Sequence, residues 1–260
     1  VLTASNVASA ISNAPTKSKY AIVSNPDRHL ICLGTETTIG TTSTQDPMFI
    51  RWSDQDDYTS WTATATNSAG SQRITDGSEI VTAVRTRGQI IILTDTSAHG
   101  MSFIGAPFTF GFQQLGSNCG AISPHCAIDV GGVVYWMSSD AFYKFDGTVR
   151  KIPCTVEDFV FDNIEPKQYA QVYAGSNSAF GEVWWLYCTT ASNQNDRYVI
   201  FNYQENLWYT GSIDRSTWID SGTYSLPYAT KYDGSANTTV YSHENGFDDD
   251  GSTMTAYIES

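Results

Sequence analysis

The side chains able to ligate metals or act as nucleophiles are few. The histidines are His29, His99, His125 and His243, and the cysteines are Cys32, Cys119, Cys126, Cys154 and Cys188. No two histidines stand at a metal-ligand spacing. Cys119, His125 and Cys126 are close in sequence, but their spacing matches no zinc pattern. They read as connector packing, with zinc as the alternative. There is no G-x-S-x-G elbow, no P-loop and no Gly-rich dinucleotide fingerprint. A scattered triad would leave no such trace. Asp54, Asp56 and Asp57 form one acidic cluster, and Asp248, Asp249 and Asp250 another. Calcium takes about six to eight oxygens, often from alternating positions in a tight loop. Neither cluster has the EF-hand or RTX pattern. Both read as solvated turns, with a structural calcium as the alternative.

Residues 53–61, SDQDDYTSW, place Asp56 and Trp61 at the spacing of the Asp-box turn of sialidase-type propellers. The Ser expected two before the Asp is replaced by Asp54, and the Gly two after it by Tyr58. Sialidase chemistry also needs several arginines to clamp a carboxylate, a tyrosine nucleophile and an acid. The arginines are Arg28, Arg51, Arg73, Arg85, Arg87, Arg150, Arg197 and Arg215. None takes a role from sequence. The expectation is therefore a non-enzyme with no catalytic, cofactor-binding or metal residue and no cofactor. The alternative is a glycan-binding or glycan-cleaving propeller that uses aromatic loops.

The elements that would carry such residues are strands. Residues 132–153, GVVYWMSSDAFYKFDGTVRKIP, read as three strands and two tight turns. Side chains alternate across a strand, so Val133, Tyr135 and Met137 face one way and Val134 and Trp136 the other. Both sets are apolar, so both faces should be covered. Asp146-Gly147 is a strong hairpin signal. The layout recurs in residues 88–105 and 181–211. The apolar strands start at Gln89, Val133 and Glu182, a spacing of about 44 to 49 residues, near the period of propeller blades. The expected fold is all-β: a β-propeller-like array of about five antiparallel blades with one short inter-blade helix. A large β-sandwich is the alternative.

Composition agrees with sheets. The chain has 260 residues, 41% hydrophobic, 13% aromatic and only 16% charged, so Ser, Thr, Asn, Gln and Gly carry much of the polarity. The net charge is −13, and no basic stripe exists. Attractive binding to nucleic acid or to an anionic membrane is not expected. The charge reads as plain solubility, or as a surface that repels DNA. An odd, sparse set of cysteines, with no secretory signal or long apolar run, fits reduced thiols and assembly in a cytoplasm. The chain starts without Met and ends in a strand-like TAYIES, so it reads as part of a longer polypeptide.

Residues 1–19 read as an arm or linker, and 20–260 as an incomplete propeller domain. Short strands are expected at 20–23, 29–33 and 48–52, with a Thr-rich loop at 35–45 and a small, polar stretch at 62–75. Strands follow at 80–85 and 108–112, and a connector at 118–126. Val156, Phe159, Val160 and Ile164 predict a helix, capped by Thr155 and stopped by Pro166. Residues 170–174 lead into the next repeat. Residues 217–220, 228–232 and 239–242 form a weaker set, 245–251 an acidic loop and 253–259 a last strand. The count is three clear blades, a fourth at the C-terminal end and a partial one at the start.

The order of motifs is RHLICLG (28–34), FIRWSDQDDYTSW (49–61), GQIIILTDTSAHGMSFIG (88–105) and NCGAISPHCAIDVGGVVYWMSSDAFYKFDGTVRKIPC (118–154). Then come the helix before Ile164, EVWWLYCTTASNQNDRYVIFNYQENLWYTG (182–211) and YSHENG (241–246). This succession resembles the tail nozzle or hub proteins of short-tailed bacteriophages, also called packaged-DNA stabilisation proteins. The resemblance covers most of residues 20–260. It implies a structural virion protein in the phage tail, assembled in the host cytoplasm as a homo-oligomer, typically a hexameric ring. Its implied neighbours are portal and adaptor proteins and tail fibres or spikes. Double-stranded DNA would pass through it non-specifically, and this segment would insert into no membrane. An acidic wall suits a conduit, because basic groups would hold DNA by counterion release.

Overall fold

The computed structural model describes residues 9–232, 238–249 and 251–253. The chain is all-β, with five consecutive antiparallel sheets. The first holds β1 (Tyr20–Val23), β2 (Leu30–Leu33), β3 (Phe49–Trp52) and β4 (Gly70–Arg73). The second holds β5 (Ile80–Arg85), β6 (Ile90–Thr94), β7 (Ser97–Gly105) and β8 (Thr109–Ser117). The third holds β9 (Ala127–Val130), β10 (Val133–Met137), β11 (Phe142–Phe145) and β12 (Val149–Ile152). After a helix, α1 (Glu157–Phe161), comes the fourth, β13 (Tyr173–Asn177), β14 (Glu182–Tyr187), β15 (Arg197–Asn202) and β16 (Leu207–Ser212). The fifth holds β17 (Thr217–Ile219), β18 (Tyr228–Tyr232) and β19 (Thr238–Ser242); β20 (Asp248–Asp249) and β21 (Ser252–Thr253) form a separate two-stranded ribbon. Within each sheet, strands pair in chain order. This is the blade-like meander expected from the repeat.

The core lies between sheets, not within one sandwich. Alternation along the second strands explains it. In β6, Ile90 and Ile92 join Ile31, Leu33, Ile50 and Trp52 of the first sheet. Ile91 and Leu93, on the opposite face, join the core of the third. In β14, Val183, Trp185 and Tyr187 pack toward the third sheet, whereas Trp184 and Leu186 meet Trp218 and Ala229 of the fifth. A strand covered on both faces reads as a near-continuous apolar run, and Ile90–Leu93 and Val183–Tyr187 are such runs. In β10, Tyr135 lies against Phe201 of the fourth sheet and Tyr203 in the turn after β15. Trp136 points the other way, stacks on Tyr143 and donates its Nε1 proton to the Cys119 carbonyl at 2.8 Å. Val134, Tyr135, Trp136 and Met137 are buried and Val133 is half-buried, so both faces of this strand are covered.

Several expectations are corrected. The first sheet is complete with four strands, and the fifth is the three-stranded one. The polar stretch 62–75 contains β4, whose sequence GSQR has no apolar alternation; it exists because its backbone pairs with β3. The repeat around residue 133 has a fourth strand, β9, ahead of β10. The helix is capped at Val156 without any side-chain bond, so Thr155 is not its cap. It ends at Phe161, and Pro166 does not stop it. Instead Pro166 opens a 3-10 helix, Pro166–Gln171, where a missing N–H costs nothing. The strand expected from residue 170 therefore starts at Tyr173. A second 3-10 turn, Thr42–Thr44, lies in the Thr-rich loop. Residues 1–8 of the arm and 254–259 of the last expected strand fall outside the described residues.

Candidate functional site

The first strands of the five sheets converge. β1 lies against β5, β5 against β9, β9 against β13 and β13 against β17. Where they converge they line an open axial cavity of about 280 Å³, with Tyr20, Ala83, Ile128, Tyr173, Trp218 and Asp220 among its walls. Gly175 on β13 allows the fourth and fifth sheets to close on the axis. A Cβ there would sit 2.5 Å from Cδ1 of Trp218, so only glycine fits. Among the described residues no strand pairing joins the fifth sheet to the first.

The chemistry at the axis is modest. His125 stacks on Tyr173 at 5.5 Å. Ser176 Oγ donates to Asp220 Oδ2 at 3.0 Å, and the Ser178 N–H donates to the same oxygen at 2.9 Å. Thr82 Oγ1 donates to the Pro124 carbonyl at 2.8 Å. Two tyrosines and one carboxylate reach the cavity, but none of the eight arginines does. The arginine clamp that sialidase chemistry requires is not assembled there.

The other sequence candidates are dispersed. Buried His29 sits between the first two sheets against Phe103 and Phe110, with Nδ1 2.8 Å from the Ser53 carbonyl. Its Nε2 has no partner among the described residues. His99 Nε2 bonds Ser97 Oγ at 2.8 Å, and burial lowers its pKa. Burial raises the thiols of Cys32, Cys119 and Cys154 to about 11, and raises Cys126 and Cys188 as well. All five are free thiols, and protonated sulfur is a poor metal ligand and nucleophile. Cys119, His125 and Cys126 do not converge, and among the described residues no group of three His, Cys, Asp or Glu could hold a metal.

The acidic turn at 53–61 is held by its own carboxylates. Asp54 Oδ1 accepts the Ser68 amide at 2.8 Å, the Ser68 hydroxyl and the Gln55 amide at 2.9 Å. Asp57 accepts both the amide and the hydroxyl of Thr59. Asp56, at φ +59°, pairs with Arg28 at 2.7 Å. Trp61 is buried and donates to the Tyr58 carbonyl. The Asp-box-like spacing thus builds a turn between β3 and β4, the third and fourth strands of the first sheet, and none of its residues lines the axial cavity. In the other cluster, Asp248 accepts the Gly251 amide at 3.1 Å, and Asp250 lies outside the described residues.

Two features escape a sequence reading. The fifth sheet turns a groove of about 580 Å³ toward solvent, lined by Tyr173, Trp218, Ile219, Tyr224, Tyr228 and Val240. Ile219, Tyr224 and Val240 are 52%, 55% and 63% exposed. The sequence marked residues 217–220, 228–232 and 239–242 only as a weaker set of strands, and did not show that among the described residues no further sheet covers this face. Burial also raises the Glu182 carboxyl, which accepts the Trp184 Nε1 proton at 2.9 Å.

No protein-family model matches the chain, and no curated protein does. Among solved structures, a complex from S. cerevisiae of Dbp5 with Nup159, Gle1, IP6 and ADP aligns over 90% of this chain and 75% of that one. The identity is 8% and the TM-score 0.35, a level of likeness that carries no inference.

Proposed function

We propose that the chain is a structural subunit of a short-tailed phage tail, a nozzle-type piece that helps retain packaged DNA and conducts it at infection. The carrying observation is the fifth sheet's open face. Sheets two to four bury apolar residues on both sides, while the fifth leaves Ile219, Tyr224 and Val240 bare. Contiguous exposed apolar surface of this kind marks an interaction site, which suits a subunit of a homo-oligomeric ring with portal or adaptor proteins and fibres or spikes as neighbours. The motif order and the net charge of −13 favour the same reading, since an acidic wall gives DNA nothing to grip. Among the described residues no helix is long and apolar enough to cross a membrane. Native mass spectrometry of the full-length protein tests the proposal: a ring of identical chains is expected, and a stable monomer at all concentrations refutes it.

A second reading, glycan binding, rests on the aromatic groove of Trp218, Tyr224 and Tyr228. Its size falls in the usual range for small-molecule sites, about 300–1,000 Å³. A glycan array on which Tyr224→Ala abolishes every signal supports it; an array with no signal removes it.

A further inference from the structure

Arg215 lies in the link between β16 and β17 and is 7% exposed. Among the described residues it makes no salt bridge. Its Nε donates to His243 Nε2 at 3.1 Å, and Nη1 donates to the Asp214 carbonyl oxygen at 2.9 Å. The guanidinium carbon lies 3.9 Å from the centre of the Tyr241 ring. These contacts use one N–H of Nη1 and the single N–H of Nε. Among the described residues, both N–H groups of Nη2, and the second on Nη1, find no acceptor. A guanidinium has no deprotonated form at ordinary pH and offers no acceptor atom. A buried cation with idle donors and no counter-ion is costly, and proteins pair such charges.

The idle donors are not sealed in protein, for no Arg215 nitrogen is among the buried atoms lacking a partner. They open onto a polar cavity of about 420 Å³ that Arg215 shares with Ser212, Asp214, Lys231, Tyr241 and Ser252. The one carboxylate there, Asp214, is held by Lys231 Nζ at 3.0 Å. The wall therefore carries two cations and one anion. Serine hydroxyls stand at its β16 and β21 sides.

We propose that this cavity binds an oxyanion, a carboxylate or phosphate borne by a molecule of monosaccharide size. The Nη edge of Arg215 takes two anion oxygens in the paired geometry that guanidinium favours. Lys231 adds attraction, and Ser212 and Ser252 supply hydroxyl donors. The site is separate from the axial cavity and from the aromatic groove, and it stands whether or not the chain belongs to a phage tail.

Isothermal titration of the full-length protein at low salt tests it, with glucuronate, inorganic phosphate and neutral glucose as probes. Binding of glucuronate or phosphate, weakened by added salt, is expected, and no binding of glucose. Arg215→Met should lower affinity at least about tenfold, the worth of one hydrogen bond to a charged group. Lys231→Met, on the exposed edge of the cavity, should lower it less and keeps the assay decisive if Arg215→Met does not fold. Preference between the two anions identifies the ligand's acidic group. Absence of binding by both anions overturns the proposal, as does unchanged affinity in both variants.

Discussion

Trp136 offers the sharpest test of the blade arrangement. Its side chain is fully buried, stacks on Tyr143 with ring centres 5.7 Å apart, and bonds the Cys119 carbonyl in the segment that leads from the second sheet. Trp136→Ala removes the packed ring from an inter-sheet layer that β-structure cannot easily close. Truncations of this kind cost about 3–5 kcal/mol. Trp136→Phe keeps a ring but strands the Cys119 oxygen, a loss of about 1–3 kcal/mol for a buried unsatisfied acceptor. Against a total stability of about 5–15 kcal/mol, the alanine variant should shift the urea midpoint strongly. Far-UV circular dichroism is the readout, because the substitution changes fluorescence directly. Phe108→Ala is the control: Phe108 is largely exposed, and its loss should stay within about 0.5 kcal/mol. A Trp136→Ala loss below about 1 kcal/mol, or an equal loss in the control, would refute the reasoning that the core lies between the sheets.

Two other outcomes follow from the same geometry. Gly175→Ala drives a methyl group into Trp218, so it should destabilise by about 1–3 kcal/mol and weaken the near-UV signal of the Trp184–Trp218 stack, whose centres are 4.7 Å apart; an unchanged spectrum and midpoint would count against the close approach at the axis. Asp54 is held below the usual carboxylate range by the Ser68 hydroxyl and by the Ser68 and Gln55 amides, against an opposing effect of burial. A depressed folded pKa gives stability that is present above the unfolded value of about 3.9 and lost as pH falls through the folded value. Urea midpoints of wild type and Asp54→Asn should therefore differ most near neutrality and converge in acid, and a pH-independent difference would show that the carboxylate's charge does not hold the turn.

Much of the fold was legible because most strands carry their own pattern. β10 and, after Glu182, β14 are unbroken apolar runs, and such runs in short strands mean cover on both faces. Asp146-Gly147 marks its hairpin, where Gly147 takes φ +111°. β18 was found to the residue. The misses have one cause: strands β4 and β9 pair through backbone and carry weak side-chain signals, so nothing in GSQR or AIDV announces them. Likewise Pro166 interrupts an α-helix or opens a 3-10 turn depending on what precedes it, and residue order alone left that open.

The sequence by itself determined an all-β chain of repeated hairpins, buried on both faces and without local catalytic or metal-binding motifs, because alternation, turn chemistry and ligand spacing are local properties. Tertiary structure decided which strands meet at the axis, that no arginine reaches it, and that the fifth sheet leaves Ile219, Tyr224 and Val240 exposed. It also decided that Arg215 is buried beside a cavity with its Nη2 donors unpaired among the described residues. Each of these depends on the packing of residues far apart in the chain: Tyr20 and Trp218 line one cavity, and Arg215 meets His243 across 28 positions. Period and propensity do not record such separations, and only the closure of one sheet upon the next sets them.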